Sequence, residues 1–245
     1  MTYITNENRP LRSEGKRANE IITILKHKLP IRDEDFAASR VAKESHNPFR
    51  VLVVTILSQN CTDVAALRAY DKLEEEVGVS VSSLSQARIQ AIKKAIRSAG
   101  LYKQKARAIK RLSIIIQETY GGNFDAALSG SFEDVRVRLQ ELPKVGPKTT
   151  DVLLSIWGRP TISVDTHVER ISKRLGIAPA NAGYEAVRSN LMRLFHEEDY
   201  RLVPLYFMAL GRKICKARRP LCPICHVKSL CSYTNKTKSP EPTLK

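Results

Sequence analysis

Apolar residues recur along this chain with the three-to-four-residue period of amphipathic helices, not the alternation of half-buried strands. From Arg17 to Leu29 the apolar face is Ile21, Ile22, Leu25 and Leu29. Comparable faces run through Asp63 to Val77, Ser85 to Ser98, Lys105 to Tyr120, Phe132 to Leu142, Pro147 to Trp157, Thr166 to Leu175, Tyr184 to Phe195 and Leu202 to Cys215. The run Phe49 to Leu57 is apolar enough for a buried strand or a buried helix. Helix is favoured, because no partner strands are evident elsewhere. Gly100, Gly121, Gly122, Gly158, Gly176 and Gly183 punctuate the helical stretches. The pattern predicts an all-α protein without internal repeats, and its polar ends, residues 1–15 and 234–245, are expected to be disordered.

Charge narrows the range of partners. The 245 residues include 41 Lys and Arg against 25 Asp and Glu, a formal net charge of +16, and 42% are hydrophobic. A core of real size can form, and the positive balance favours a polyanion, above all nucleic acid. Anionic lipid is the other polyanion, but neither an amphipathic lipid-binding helix nor a lipidation motif is evident, and no apolar run approaches a bilayer's thickness. No membrane partner is therefore expected. The polar start, Met1 to Arg17, has no apolar core of the signal-peptide kind, so an intracellular location is expected.

The segment Leu142-Pro-Lys-Val-Gly-Pro-Lys148-Thr149-Thr150 lies between two helical patterns. Val135, Leu139 and Leu142 form one face before it, and Val152, Leu153 and Ile156 follow, with Pro147 suited to a first helical position. Two helices joined by so short a glycine-containing turn make a helix-hairpin-helix. Gly146 before the second helix allows backbone N–H groups to face outward beside the positive end of the helix dipole, an arrangement that binds phosphate. An ordinary helical corner packed on the core is the alternative, and Lys144, Lys148 and the overall charge weigh against it.

Near the C-terminus, Cys215, Cys222, Cys225 and Cys231 stand at the spacing Cys-x6-Cys-x2-Cys-x5-Cys. Disulfides are disfavoured by the absence of an export signal. Structural zinc usually takes two close cysteine pairs, and only Cys222 and Cys225 form one. A four-iron cubane, with each iron held by one thiolate of a compact loop, suits the spacing better than zinc. Cys61, remote in sequence, is expected to pack as a small apolar residue.

The hairpin with Lys148 in its second helix, the segment Val164-Asp165-Thr166-His167-Val168 and the terminal cysteine run together resemble the endonuclease III family of DNA glycosylase/AP lyases, within the helix-hairpin-helix glycosylase superfamily. The resemblance spans about Arg17 to Tyr233. It implies two helical lobes. One is a central six-helix domain, residues 41–160, with the hairpin at about 132–157, and the other is a [4Fe-4S] cluster domain formed by 16–40 plus 161–233. DNA would lie across the cleft between them.

The resemblance also implies roles for individual residues. Lys148 matches the family's nucleophile, which attacks the anomeric carbon, expels the base and leaves a Schiff base open to β-elimination. Such a lysine must be neutral, which requires desolvation or neighbouring positive charge, and a helix N-terminus supplies potential of that sign. A phosphate contact is its plainer reading. Asp165 matches the family's catalytic carboxylate, able to stabilise oxocarbenium-like charge or to move a proton. Its plainer reading is a helix cap near the possible capping box Thr166-x-x-Glu169, and the two roles are compatible. His167 is assigned no catalytic role. Base flipping leaves a gap that Asn60 and Leu101 are candidates to fill, against helix-end capping and core packing respectively. Lys144, Val145 and Gly146 of the hairpin, and Lys216, Arg218 and Arg219 between the first two cysteines, are expected DNA contacts. Lys103, Lys105, Arg107, Lys110 and Arg111 either extend that surface or form a solvated helix face.

One departure stands out. The first glycine of the family's usual Leu-Pro-Gly-Val-Gly turn is Lys144 here, and Pro147 replaces a common basic residue. Lysine at that site is unfavourable if its φ is positive, unless the turn has adjusted.

The leading expectation is a bifunctional glycosylase/lyase removing oxidised pyrimidines from double-stranded DNA, acting as a monomer on damaged bases or abasic sites. It would work in a prokaryotic cytoplasm or nucleoid, or in a eukaryotic nucleus or organelle. A monofunctional mismatch uracil/thymine or adenine glycosylase is the second reading, disfavoured by Lys148. A non-catalytic damage-binding protein is the third, and it would not need Lys148 and Asp165 together.

Overall fold

The computed structural model describes residues 8–237, with side chains from residue 13. Among these residues the regular structure is entirely helical. The chain divides into two compact units, one made of Arg32–Arg159 and the other of Met1–Ile31 with Pro160–Lys245.

The Arg32–Arg159 unit is organised around α3 (Pro48–Ser58). Asn47 caps it by accepting the Arg50 N–H, Pro48 occupies its first turn, and every residue from Val51 to Leu57 is buried. A helix buried on all sides loses the polar stripe of a surface helix, which is why periodicity alone leaves this run ambiguous. Around it lie α2 (Ala37–Ser45), α4 (Asp63–Glu76), α7 (Tyr102–Tyr120), α8 (Phe124–Ala127) and α10 (Pro147–Ile156). The short α5 (Val81–Gln86) and α6 (Ile89–Ala95) pack on α7, and α9 (Phe132–Gln140) packs on α10.

Three boundaries differ from expectation. Residues 32–40 belong with this unit and not with the cysteine-bearing one, because Ala37 and Val41 are buried in its core and the α2 amide of Ala37 donates to Asp63 Oδ1 at 3.1 Å. The predicted helix Ser85 to Ser98 is two helices. Ser80 and Ser83 form a capping box that starts α5 earlier, and Lys110 Nζ on α7 takes the carbonyls of Ser85 and Ala87 at 3.1 and 2.6 Å, ending α5 from outside. Finally, α1 begins at Asn8, so residues 8–15 are not disordered: Glu14 faces Arg193 at 3.6 Å and the Gly15 carbonyl accepts from Asn19.

The second unit packs α1 (Asn8–Lys28) against α12 (Tyr184–Leu194) and α13 (Leu202–Lys213), with α11 (Thr166–Arg174) against both α12 and α13. Its core holds Ile21, Leu25, Val168, Ile171, Leu191, Phe207 and Leu210, and Phe195 meets Phe207 edge-on. Beyond Ile214 the chain forms a loop with one short 3₁₀ turn, Cys222–Ile224. The expected disorder from 234 does not hold through 237: Lys236 Nζ donates to the Cys231 carbonyl at 2.7 Å, and Thr237 Oγ1 accepts the Cys222 N–H at 3.2 Å. Residues 1–7 and 238–245 of the expected disordered ends lie outside the described residues. Among the described residues no helix is long and apolar enough to cross a membrane.

Candidate active site

The hairpin is built by α9 and α10. Arg136 on α9 forks onto both carboxylate oxygens of Asp151 on α10, each bond 3.1 Å, and Asp151 is fully buried. Such a bidentate pair sets the mutual orientation of two helices as well as their separation. The turn between them closes with the Val145 N–H on the Leu142 carbonyl at 3.1 Å, placing Pro143 and Lys144 at its corners. Lys144 has φ 63°, whereas Gly146, the N-cap of α10, is extended at φ −98°, ψ −178°. The left-handed position of this turn is therefore lysine, and the turn has not adjusted to avoid it. The side chain of Gln59 braces it, Nε2 donating to the Lys144 carbonyl at 2.9 Å and to Thr149 Oγ1 at 3.2 Å, while Lys144 Nζ reaches Gln104 Oε1 at 3.3 Å.

Val145 is 3% exposed, a core anchor with its N–H committed to the turn. Gly146 is exposed. Lys148 is the second residue of α10, partly buried in the helix's first, electropositive turn.

The two expected gap-filling residues lie in the same unit. Asn60 is exposed with φ 51°, and Leu101 is 51% exposed with φ 59°, just before α7. Neither does its plainer job: Gln59 is the C-cap of α3, and Leu101 is outside the core. An exposed leucine in the left-handed region violates two local preferences at once.

Basic residues of α7 divide by direction. Lys103, Arg107 and Arg111, four apart, are exposed along one face. Lys110 caps α5, and Lys105 is 1% exposed with Nζ on the Leu57 carbonyl at 2.7 Å, so neither extends the surface stripe.

In the other unit, Asp165 is itself the N-cap of α11, and the expected capping box beginning at Thr166 gives way to it. Oδ1 accepts from the amides of His167 at 2.9 Å and Val168 at 2.7 Å, and among the described residues Oδ2 accepts no hydrogen bond. The carboxylate is thus oriented through one oxygen. Burial pushes His167 below the ordinary range, Asp165 pulls it up, and Arg170 and Arg212 push it down again. Arg170 lies 3.1 Å from His167 Nδ1, and arginine can only donate, which puts the imidazole proton on Nε2.

Arginines of α11, absent from the sequence expectations, hold the cysteine loop. Arg170 donates twice to the Cys215 carbonyl, at 3.1 and 2.9 Å. Arg174 donates to Cys215 Sγ at 3.3 Å and to the carbonyls of Lys216 and Ala217 at 2.8 and 3.0 Å, and stacks 4.6 Å from the Tyr233 ring centre. Gly211 permits this approach, since a Cβ there would lie 2.6 Å from His167 Nδ1 and 2.9 Å from Arg170. Lys216, Arg218 and Arg219 are exposed.

Cys215, Cys222, Cys225 and Cys231 line one cavity and carry no disulfide. Burial raises the Cys225 thiol, and the other three sulfurs push it further in the same direction. Four cysteine thiols lining one cavity are a donor set suited to a cationic centre. Among the described residues no three His, Cys, Asp or Glu are grouped to hold a metal ion. Cys61 packs against the other unit's core as expected.

Residues 53–197 match the model of the HhH-GPD superfamily of base excision DNA repair proteins. The endonuclease III of Sulfolobus acidocaldarius is 33% identical over 88% of this chain and 96% of its own length. The chain belongs to the endonuclease III family. The Bacillus subtilis endonuclease III is 38% identical, over 76% of this chain and 81% of the relative. A solved structure of a trapped endonuclease III–DNA covalent intermediate superimposes with a TM-score of 0.69 at 30% identity, covering 88% of this chain and 95% of that one. A thermostable thymine-DNA glycosylase shares the fold, with a TM-score of 0.72 at 21% identity over 94% of this chain and 98% of that one. The family match ends before the cysteine loop, whereas the archaeal relative spans nearly the whole chain.

Proposed function

We propose that Lys148 is the amine nucleophile of this endonuclease III family member and Asp165 the carboxylate that works with it, on oxidised pyrimidines. The chain is a bifunctional DNA glycosylase and AP lyase of base excision repair, and its partner is DNA with damaged bases or abasic sites. The observation that carries the assignment of Lys148 is its place in the first turn of the hairpin's second helix, where no other lysine of the hairpin is helical.

The chemistry follows from that placement. With the damaged nucleotide turned out of the stack, Nζ attacks the anomeric carbon and the glycosidic electron pair leaves with the base, which takes up a proton. Asp165 faces the positive charge that builds on the sugar as the base departs and accepts a proton from the incoming amine. Ring opening gives a Schiff base on Lys148. Loss of a C2′ proton then expels the 3′ phosphate, and the strand is cut by β-elimination. Asn60 and Leu101 fill the vacated stack, while Lys144, Gly146, Lys216, Arg218 and Arg219 hold the phosphate backbone.

Cys215, Cys222, Cys225 and Cys231 would hold a [4Fe-4S] cluster, which when bound supplies a rigid cross-link for the loop that carries Lys216, Arg218 and Arg219. The monofunctional reading is disfavoured by Lys148 itself.

Borohydride trapping tests the proposal. Wild-type protein should form covalent adducts with duplexes carrying an oxidised pyrimidine and with abasic duplexes. Lys148→Ala should lose the adduct and strand cleavage by on the order of 10⁴-fold while still binding DNA. Cleavage by that variant at the wild-type rate would remove Lys148 from the mechanism.

A further inference from the structure

Among the described residues Lys105 is the one lysine of the most deeply buried side chains, 1% exposed in the first turn of α7. An ammonium there is costly, and a methionine would fill the same space without that cost. Burial lowers its pKa, the Lys144 ammonium lowers it further, and Cys61 acts in the opposite direction. A residue retained against such a penalty needs a compensating contact.

The contact joins the two elements assigned above to filling the stack. Lys105 Nζ donates to the Leu57 carbonyl at 2.7 Å, in the last turn of α3, where carbonyls lack helical partners and the dipole is negative. Its own amide donates to the Leu101 carbonyl at 3.1 Å. Lys105 thus binds one backbone carbonyl three residues before Asn60 and that of Leu101 itself. The two loops also touch directly: a Cβ on Gly100 would lie 3.1 Å from the Asn60 carbonyl, so that position is close to the limit for any residue but glycine. Asn60 and Leu101 both sit in the left-handed region, a conformation that persists only when surroundings over-determine it. Gln59 to the Lys144 carbonyl and Lys144 to Gln104 extend the same bracing to the hairpin turn.

We propose that Lys105 is a positioning residue that locks the Asn60 loop and the Leu101 loop into one preformed probe, so that both enter the duplex together when a base is flipped. The inference rests on the reading of Asn60 and Leu101 as the residues that fill the gap. Lys105 touches neither the sugar nor the base. Its loss should therefore slow processing of stacked duplex while leaving amine chemistry on an unstacked sugar intact.

The test compares Lys105→Met and Lys105→Arg with wild type on two substrates: a duplex carrying an oxidised pyrimidine, for single-turnover excision, and a single-stranded abasic oligonucleotide, for borohydride trapping. Lys105→Met should excise from the duplex ~10- to 100-fold more slowly, the scale of a small misplacement, with trapping on the single strand unchanged. Lys105→Arg, which restores a cationic donor, should recover part of the loss. Wild-type excision by Lys105→Met, or equal losses on both substrates, would overturn the proposal. If Lys105→Met does not fold, Gly100→Ala replaces it, because its Cβ presses the loops apart at the Asn60 carbonyl. The same selective duplex loss is expected, and wild-type excision again overturns the proposal. An Asn60→Ala, Leu101→Ala double variant with wild-type duplex excision would instead sink the gap-filling reading on which it rests.

Discussion

The hairpin and the cysteine loop hold exposed basic residues by opposite means. The hairpin's α9 and α10 bury Val135, Leu139, Leu153 and Leu154 in a large apolar core and are keyed by one internal ion pair, Arg136 to Asp151. Between Cys215 and Thr237 only Pro220 and Val227 are buried, and the loop is held by arginine side chains on backbone carbonyls. A segment that buries so little apolar surface cannot offset its ordering entropy by hydrophobic contact. The hairpin is held by apolar packing and a buried ion pair, whereas the loop has little apolar packing to hold it.

Removing one cysteine should expose that contrast most strongly. Cys222→Ser is expected to lose iron and the associated visible absorption, and to open residues 215–237 to limited proteolysis. Hydrogen exchange in α9 and α10 should remain protected. An iron-free variant with an intact, protease-resistant loop would refute the cubane. In the opposite region, Arg136→Met strands the buried Asp151 carboxylate and should cost about 3 kcal/mol of stability in chemical denaturation. Iron content should not change.

Lys144→Gly sharpens the comparison within the hairpin itself. Relief of the positive φ should stabilise the protein by about 1 kcal/mol. Loss of the cation should weaken DNA binding uniformly across sequences and lower the salt slope by about 1. A rise in stability with an unchanged salt slope would assign Lys144 to the turn alone.

The smallest effect is pH dependence at α11. His167 titrates below its ordinary 6.5 in the folded protein. As pH falls below 6.5, the unfolded chain binds a proton that the folded chain refuses, so stability drops until the folded-state pKa is passed. In His167→Gln the decline in melting temperature between pH 7 and pH 5 should be shallower. Equal slopes would show that carboxylates, not His167, govern the acid side.

Much of this was legible in the chain. Helical periodicity located most of the long helices, because each packs one face on a core and leaves the other in water. Periodicity does not mark α2, because its small residues, Ala37, Ala38 and Ala42, give a weak apolar stripe and its burial comes from the fit against α3. The break between α5 and α6 was invisible because its cause, Lys110, lies 23 residues from the Ala87 carbonyl it takes. Gln59, Arg170 and Arg174 read as ordinary polar residues on helix ends and faces. Only their long-range partners, the Lys144 carbonyl and the cysteine loop, distinguish them.

The helical class, the hairpin with Lys148 at its second helix, Asp165 before α11 and the set of four cysteines are all legible in the local pattern of the chain. Those features depend on period, turn chemistry and residue spacing, which are local. Tertiary structure alone decided which charges face water. It turned Lys103, Arg107 and Arg111 outward and Lys105 inward on the same helix, drew Val145 into the core, and fixed Lys144 and Leu101 in left-handed backbone. Burial and strain are set by what packs opposite a residue, and that neighbour is supplied by a distant part of the chain.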